Sequence, residues 1–344
     1  MTAVVGAQIV ASVLAEYRKV VDVVHIESPG EKTVSATNVK EYLRTYKPEI
    51  LVVEATPVDS DLLSVDDNIK LIVCTRGNPV NIDLDACRER GIVVTNTPHR
   101  NANAVAEFTI ALMVSLLRRI PEAYSRLRRG EFTAQHPYTV AREEKSDRSD
   151  VIWSEDGMKT IPYFEFQGLE LAGKTLGVIG YGGIGRRVTE MARRFDMDVV
   201  VYDPFVADIH TNEVTAVSLA DLLSRADIVS LHAKETAETI GMVNDEFLAA
   251  MKEGAYLVNT SRGRLVDRDA LIRALERGKP AGAALDVFDY EPLSADDPLL
   301  SMGQVVCTPH IGGASKDVVF HQSRKTLESI TAFVANEEIP YRVV

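Results

Sequence analysis

The run Thr175-Leu-Gly-Val-Ile179 has strand character and opens at once into Gly180-Tyr181-Gly182-Gly183-Ile184-Gly185, at the head of a helical pattern. This is a GxGxxG spacing. The first glycine permits a tight turn, the second lets the backbone approach a pyrophosphate, and the third lets helix and strand pack closely. The helix N-terminus adds free N–H groups and positive potential for phosphates. An ordinary glycine-rich turn can carry the same letters, so the context decides. A second strand-like run, Val199–Tyr202, ends in Asp203, 18 residues beyond Gly185, where a ribose-reading acid belongs. Its carboxylate can accept both adenosine ribose hydroxyls and would repel a 2′-phosphate. Pro204-Phe205-Val206 supply no compensating cation. The reading is an NAD site rather than an NADP site, with Gly180, Gly182, Gly183, Ile184, Gly185 and Asp203 holding the cofactor.

A chain of 344 residues holds roughly two domains. Before the glycine motif, Val20–Ile26, Ile50–Val53, Leu71–Cys74 and Ile92–Thr95 read as strands, with helical stretches at Asn38–Tyr46 and Leu84–Arg90. After it, further strands are expected at Ile228–Leu231, Tyr256–Asn259, Gly282–Leu285 and Val305–Thr308, giving six in this half. Strands alternating with helices indicate βαβ units and parallel sheets. A hydrophobic helix from about Asn103 to Arg119 precedes an irregular stretch, Phe132–Gln167, that holds the only tryptophan, Trp153. That stretch can be a functional loop, a subunit-contacting arm or a mobile insertion. The most apolar segment, Ala104–Leu117, is shorter than the roughly 20 residues a bilayer span needs, so no membrane span is expected. A net charge of −12 argues against nucleic-acid or anionic-membrane partners. Three scattered cysteines form no disulfide framework, and seven histidines show no metal-ligand spacing. No metal is expected, and the default compartment is cytoplasmic.

Three later segments stand at strand ends, where ligands bind in open α/β sheets. They are Val258-Asn-Thr-Ser-Arg262-Gly-Arg-Leu-Val-Asp267, Ala284-Leu-Asp286-Val-Phe-Asp-Tyr-Glu291-Pro292 and Thr308-Pro-His310-Ile-Gly-Gly-Ala. With the glycine motif and Asn96-Thr-Pro…Asn103-Ala-Val-Ala-Glu107, they resemble the D-isomer-specific 2-hydroxyacid dehydrogenases, the phosphoglycerate dehydrogenase-like members included. The likeness runs from about Leu71 to Ser315; the first 70 residues match only in pattern.

The resemblance implies two doubly wound parallel-sheet domains, with a Rossmann NAD domain (104–311, carrying the irregular insertion 132–167) inserted into a flavodoxin-like substrate domain (1–103 and 312–344). Substrate and cofactor would sit between domains hinged near Asn103 and after His310. Reduction of a 2-oxo acid needs a hydride on the carbonyl carbon and a proton on its oxygen. The resemblance assigns the proton to His310, oriented by Glu291, whose carboxylate favours the imidazolium. Arg262 would hold the substrate carboxylate and polarise the carbonyl. Asp286 would hold the nicotinamide carboxamide, and Thr260 and Ser261 would also touch the cofactor. Taken singly, His310 could be a turn residue, Arg262 a surface charge, Glu291 a loop acid and Asp286 a strand-end cap. Their joint spacing favours chemistry.

Departures from the common family pattern concern the substrate. The loop Cys74-Thr-Arg76-Gly77-Asn78-Pro79 replaces a glycine-rich segment. Gly77 and Asn78 would offer backbone N–H groups to the substrate, with Arg76 either contacting a second polar group or pairing with Asp83 or Asp85. His99-Arg100 replaces a frequent glycine and can line the cleft or face solvent. Ala233-Lys234 stands where relatives carry a proline. The expected activity is hydride transfer between NAD(H) and a D-2-hydroxy or 2-oxo acid. A sugar-derived or phosphorylated acid such as 3-phosphoglycerate would suit the extra donors. The other reading is an NAD-binding, corepressor-like regulator on the same scaffold. A formate dehydrogenase is disfavoured because Glu291 replaces a neutral glutamine. A homodimer is expected from the resemblance and from Phe108, Leu112 and Leu116, read as surplus apolar surface on the long helix. Only 34 residues follow His310, so no C-terminal regulatory domain is expected.

Overall fold

The computed structural model describes residues 1–26, 33–133, 162–206, 210–211 and 214–344. These divide into two compact units, Met1–Ala104 with Gly313–Val344, and Val105–Gly312. Most of the irregular stretch, Trp153 included, lies outside the described residues.

The first unit is built on strands β1 (Thr2–Gly6), β2 (Asp22–His25), β3 (Ile50–Val53), β4 (Leu71–Cys74) and β5 (Val93–Thr95). They form one sheet in the order β2-β1-β3-β4-β5, every neighbouring pair parallel. This is the flavodoxin-like order, whose switch point lies between β1 and β3. The unbroken apolar runs Ile50–Val53 and Leu71–Cys74 are buried on both faces, as central parallel strands must be. Helices cover the two faces, and Tyr17, Leu327 and Ile330 close one side of the core. The sequence reading lacked β1. Its apolar run has no turn signal before it, yet it lies inside the sheet between β2 and the central strand β3.

The second unit carries β6 (Thr175–Ile179), β7 (Asp198–Tyr202), β8 (His210–Thr211), β9 (Val214–Ala216), β10 (Ile228–Leu231), β11 (Tyr256–Asn259), β12 (Gly282–Leu285) and β13 (Val305–Cys307). The order is β13-β12-β11-β10-β6-β7-β9-β8, parallel except for the β8–β9 hairpin. The doubly wound expectation holds, with eight strands among the described residues rather than six. The additional pair, β8 and β9, is only two and three residues long, so periodicity could not reveal it.

The long helix runs Ala102–Leu117 and stops at Arg119, whose φ of +50° turns the chain into a second helix, Ile120–Arg128. Leu112 and Leu116 are 4% and 6% exposed and pack with Leu176, Val178 and Val258. For Leu112 and Leu116 this corrects the expectation of surplus surface, while Phe108 packs on the same cluster and stays partly exposed. Of the irregular stretch, Phe132 and Phe166 meet edge to face at 5.6 Å, with the Arg126 guanidinium over both rings. Among the described residues no helix is long and apolar enough to cross a membrane.

Candidate active site

At the carboxyl end of β6 the backbone turns at Gly180, φ +93°, and a Cβ there would lie 2.6 Å from the Ala233 nitrogen and the His232 carbonyl carbon. Glycine is therefore required for the turn and for the approach of β10. Gly182 differs: a Cβ would meet nothing within 4 Å, so protein packing does not call for a glycine, and the space is open for a ligand. Gly182 is also the N-cap of the helix Gly183–Arg194 and offers no side-chain acceptor, which leaves the first-turn N–H groups of Gly183, Ile184 and Gly185 free for an anion. The cradle fits a dinucleotide pyrophosphate.

Asp203, just past β7, accepts hydrogen bonds from the Tyr181 N–H (2.7 Å) and the Phe205 N–H (2.9 Å). Those bonds aim the carboxylate into the glycine turn and leave each oxygen a second lone pair for a ribose hydroxyl. His232 is a part of this wall that sequence reasoning missed. Its ring bonds the Ser230 hydroxyl at 2.8 Å through Nε2, while Nδ1 is shut off from solvent without a partner among the described residues. Burial lowers its pKa from 6.5 to about 3, so the ring is neutral.

The loop after β11 is organised by a second missed residue, Asn259, fully buried at the strand end. Its side chain accepts from the Ser261 N–H and hydroxyl and donates to the Arg262 carbonyl. Thr260 shares a 2.7 Å hydroxyl contact with Thr109. Arg262 is extended (φ −144°) and exposed; Nη1 donates to the Ser261 carbonyl, and no carboxylate pairs with it among the described residues. Gly263 explains the spacing, because a Cβ on it would run into the Phe288 carbonyl. The glycine lets the Arg262 loop lie directly against the loop that carries Glu291.

His310 has a φ of +55°, a left-handed conformation uncommon for a side chain of this size. Asp286 enforces it. The Asp286 carbonyl accepts from the His310 N–H (2.8 Å), and its carboxylate takes the Thr308 hydroxyl (2.6 Å) and the Ile311 and Gly312 N–H groups (2.9 and 2.8 Å). Asp286 is 1% exposed, and three of its carboxylate's acceptor sites are used internally to build the His310 turn. The His310 Nδ1 donates to Glu291 Oε2 at 2.7 Å, and Glu291 Oε1 accepts the Phe288 N–H at 3.0 Å. A carboxylate can only accept, so Nδ1 carries hydrogen and Nε2 is left toward the cavity, without a protein partner among the described residues. Partial burial pushes the Glu291 carboxyl up, but the His310 and Phe288 hydrogen bonds and the His310 and Arg262 charges outweigh it and hold the group below its usual range. Arg262, Glu291 and His310 line one cavity of about 230 Å³, with a 2.9 Å Arg264–Glu235 ion pair on its wall. Of the substrate-loop residues, Gly77 and Asn78 are exposed and Arg76 is half-buried at the carboxyl end of β4, in the first unit.

The fold and this geometry define a dinucleotide-binding α/β protein whose nucleotide cradle and histidine–carboxylate pair sit on one sheet. The family model for the D-isomer specific 2-hydroxyacid dehydrogenase NAD binding domain matches residues 110–312. A D-3-phosphoglycerate dehydrogenase from Archaeoglobus fulgidus is 37% identical over 275 residues, 79% of this chain and 46% of the relative. The crystal structure of the TT0316 protein from Thermus thermophilus covers 100% of both chains at 32% identity and a TM-score of 0.78. A glyoxylate reductase from Paecilomyes thermophila covers 99% of this chain and 97% of its own at 26% identity and a TM-score of 0.75. The chain belongs to the D-isomer specific 2-hydroxyacid dehydrogenase family, and its second unit is that family's NAD-binding domain. It spans about half the length of the phosphoglycerate dehydrogenases it matches.

Proposed function

We propose that the protein is an NAD-dependent dehydrogenase that interconverts a D-2-hydroxy acid and its 2-oxo acid. The observation that carries the reading is the 2.7 Å His310–Glu291 pair sharing a cavity with the Arg262 guanidinium. When bound, the nicotinamide supplies or takes the hydride. Arg262 presents its planar fork of donors to the substrate carboxylate and polarises the carbonyl as negative charge develops on its oxygen. His310 delivers a proton from Nε2 to that oxygen and recovers it in the reverse direction. Glu291 holds the ring by Nδ1 and stabilises the imidazolium. Asp286 positions His310 through the turn it builds and, with its remaining acceptor site, would hold the nicotinamide carboxamide, with Thr260 and Ser261 beside the cofactor. Asp203 selects NAD over NADP by accepting ribose hydroxyls where a phosphate would be repelled. In the first unit, Gly77 and Asn78 offer N–H groups to the acid, and Arg76 offers a further cation.

The substrate class favoured is a sugar-derived or phosphorylated acid, 3-phosphoglycerate among them. The phosphoglycerate dehydrogenase relatives and the arginine-bearing loop support it. A homodimer rests on the resemblance alone, since Leu112 and Leu116 are buried within the unit.

The test is steady-state NADH oxidation across a panel of 2-oxo acids, with His310→Gln beside the wild type. The variant should lose about 10²- to 10⁴-fold in kcat, the usual worth of a positioned acid–base group. An undiminished rate overturns the His310 assignment. Absence of turnover with every 2-oxo acid, together with partner binding, favours the corepressor-like reading.

A further inference from the structure

The helix Gly183–Arg194 has no acid in its first turn, Gly183-Ile184-Gly185, and the next residue is Arg186. A helical side chain leans toward the N-terminus, so a long one at this position reaches back over the first turn. Arg186 does so. Its guanidinium stacks on the ring of Tyr181, inside the glycine turn, with Cζ 4.4 Å from the centroid. The ring is a fixed platform, because Tyr181 is 7% exposed and its N–H is bonded to Asp203. The other cations of this helix are placed differently. Arg187 pairs with Glu190, while Arg193 and Arg194 lie in the last turn. Arg186 is exposed and pairs with no carboxylate among the described residues.

A cation at the head of a helix meets the positive end of the macrodipole and N–H groups that lack acceptors. With no carboxylate to offset it, that placement is unfavourable until an anion arrives. A dinucleotide pyrophosphate brings negative charge to the cradle, where Gly182 leaves open space. The guanidinium fork then gains charge-assisted bonds that an aromatic face cannot give. Resting on the NAD-binding domain assigned above, we propose that Arg186 is a further cofactor-binding residue, whose guanidinium pairs with the pyrophosphate. Tyr181 keeps the side chain beside the cradle, so little rotamer freedom remains to be lost on binding. The same tyrosine orients Asp203 through its N–H and Arg186 through its ring, and so links the residue that reads the ribose to the one that reads the phosphates.

The test is calorimetric titration of the intact chain, without substrate or turnover. Arg186→Gln should weaken NADH and ADP-ribose alike by about tenfold, the order expected for one lost bond to a charged group. Adenosine, which carries base and ribose without phosphate, should bind both proteins equally in competition with NADH. Arg186→Lys, which keeps the charge but not the planar fork, should fall between wild type and Arg186→Gln. Tyr181→Leu should weaken NADH by a smaller factor, because the arginine loses its platform, and Tyr181→Phe should bind as the wild type does. Arg187→Gln removes a charge from the same helix and should leave NADH binding unchanged. Equal weakening in Arg187→Gln and Arg186→Gln would mean a diffuse field rather than a contact, and overturns the proposal. NADH binding unmoved by Arg186→Gln overturns it too, as does a loss confined to NADPH, which would put the side chain at the ribose 2′-position. A wild type that binds neither NADH nor ADP-ribose sinks the cofactor site and the proposal together. Arg186-dependent binding of ADP-ribose with no turnover of any 2-oxo acid sustains the proposal and counts against the dehydrogenase reading alone.

Discussion

His310 occupies a backbone region that costs of order 1 kcal/mol or more for a residue other than glycine. The surrounding bonds over-determine it: the Asp286 carbonyl takes its N–H, and the Asp286 carboxylate ties down Thr308, Ile311 and Gly312 on both sides. Strain of this kind presents the ring edge to the cavity while the 2.7 Å bond to Glu291 settles which nitrogen carries hydrogen. Glu291→Gln should keep the ring in place but replace an anion with a dipole, so the imidazolium loses support. The expected result is a fall of about tenfold in kcat/KM at neutral pH, the lower edge of the acid–base range. The pH profile for 2-oxo acid reduction should shift toward lower pH as well. The direction follows because Glu291 itself is held below its usual range and stays ionised through neutral pH. Its own stabilising contribution is present above the unfolded-state carboxylate pKa and is lost only as pH falls through the lower folded value. Titration near neutrality is therefore not its own. Profiles of kcat/KM against pH for wild type and variant check this, and coincident profiles would remove Glu291 from the proton path.

Elements were legible in the sequence where burial is two-sided and the chain context is sharp. Ile50–Val53 and Leu71–Cys74 read as strands because unbroken apolar runs of four have few other uses. β1 was not legible, since a strand that begins a chain has no turn before it, and β8 and β9 pair through the backbone with little apolar content. The glycine turn and the His310, Glu291 and Arg262 segments were legible as motifs. What motifs could not convey was the set of partners. Asp286 meets donors 22–26 residues away, and Gln322 reaches Gln8 from 314 residues away. His232 belongs to the same class. Nothing in Ser230-Leu-His232 announces that β10 presses its end against Gly180 and shuts the imidazole Nδ1 off from solvent. The folded ring has its pKa lowered to about 3, whereas the unfolded one protonates near 6.5. Below about pH 6.5 the unfolded state therefore binds a proton that the folded state does not. The associated stability is fully present above that pH and declines as pH falls toward the folded value. At pH 5 this group alone should cost about 1–2 kcal/mol. Urea unfolding at pH 7 and pH 5 measures it, and His232→Gln should remove that share of the difference. Equal pH dependence in the two proteins would show that the ring is hydrated in solution.

For the whole molecule, a charge of −12 repels the very anions that the reaction and its cofactor bring. Screening limits that repulsion to about 8 Å at physiological ionic strength, so local geometry decides binding. Each unit meets the problem in its own way. The second uses the free N–H groups at the head of the helix Gly183–Arg194 and the exposed Arg262. In the first, the proposed substrate loop carries Arg76 at the carboxyl end of β4. Ligands of different chemistry should therefore protect different peptides from amide hydrogen exchange in the intact chain. A ligand at 100 times its Kd stabilises the state it binds by about 2.7 kcal/mol, enough to slow local opening roughly a hundredfold. NADH should slow exchange across Tyr181–Arg186 and around Asp203. Added alone, 3-phosphoglycerate should slow it at Arg76–Asn78, the loop proposed above to hold the acid, while leaving the glycine turn unprotected. Protection of the β3–β5 ends by NADH alone, with none at the glycine turn, would reverse the assignment of cofactor and substrate to the two units.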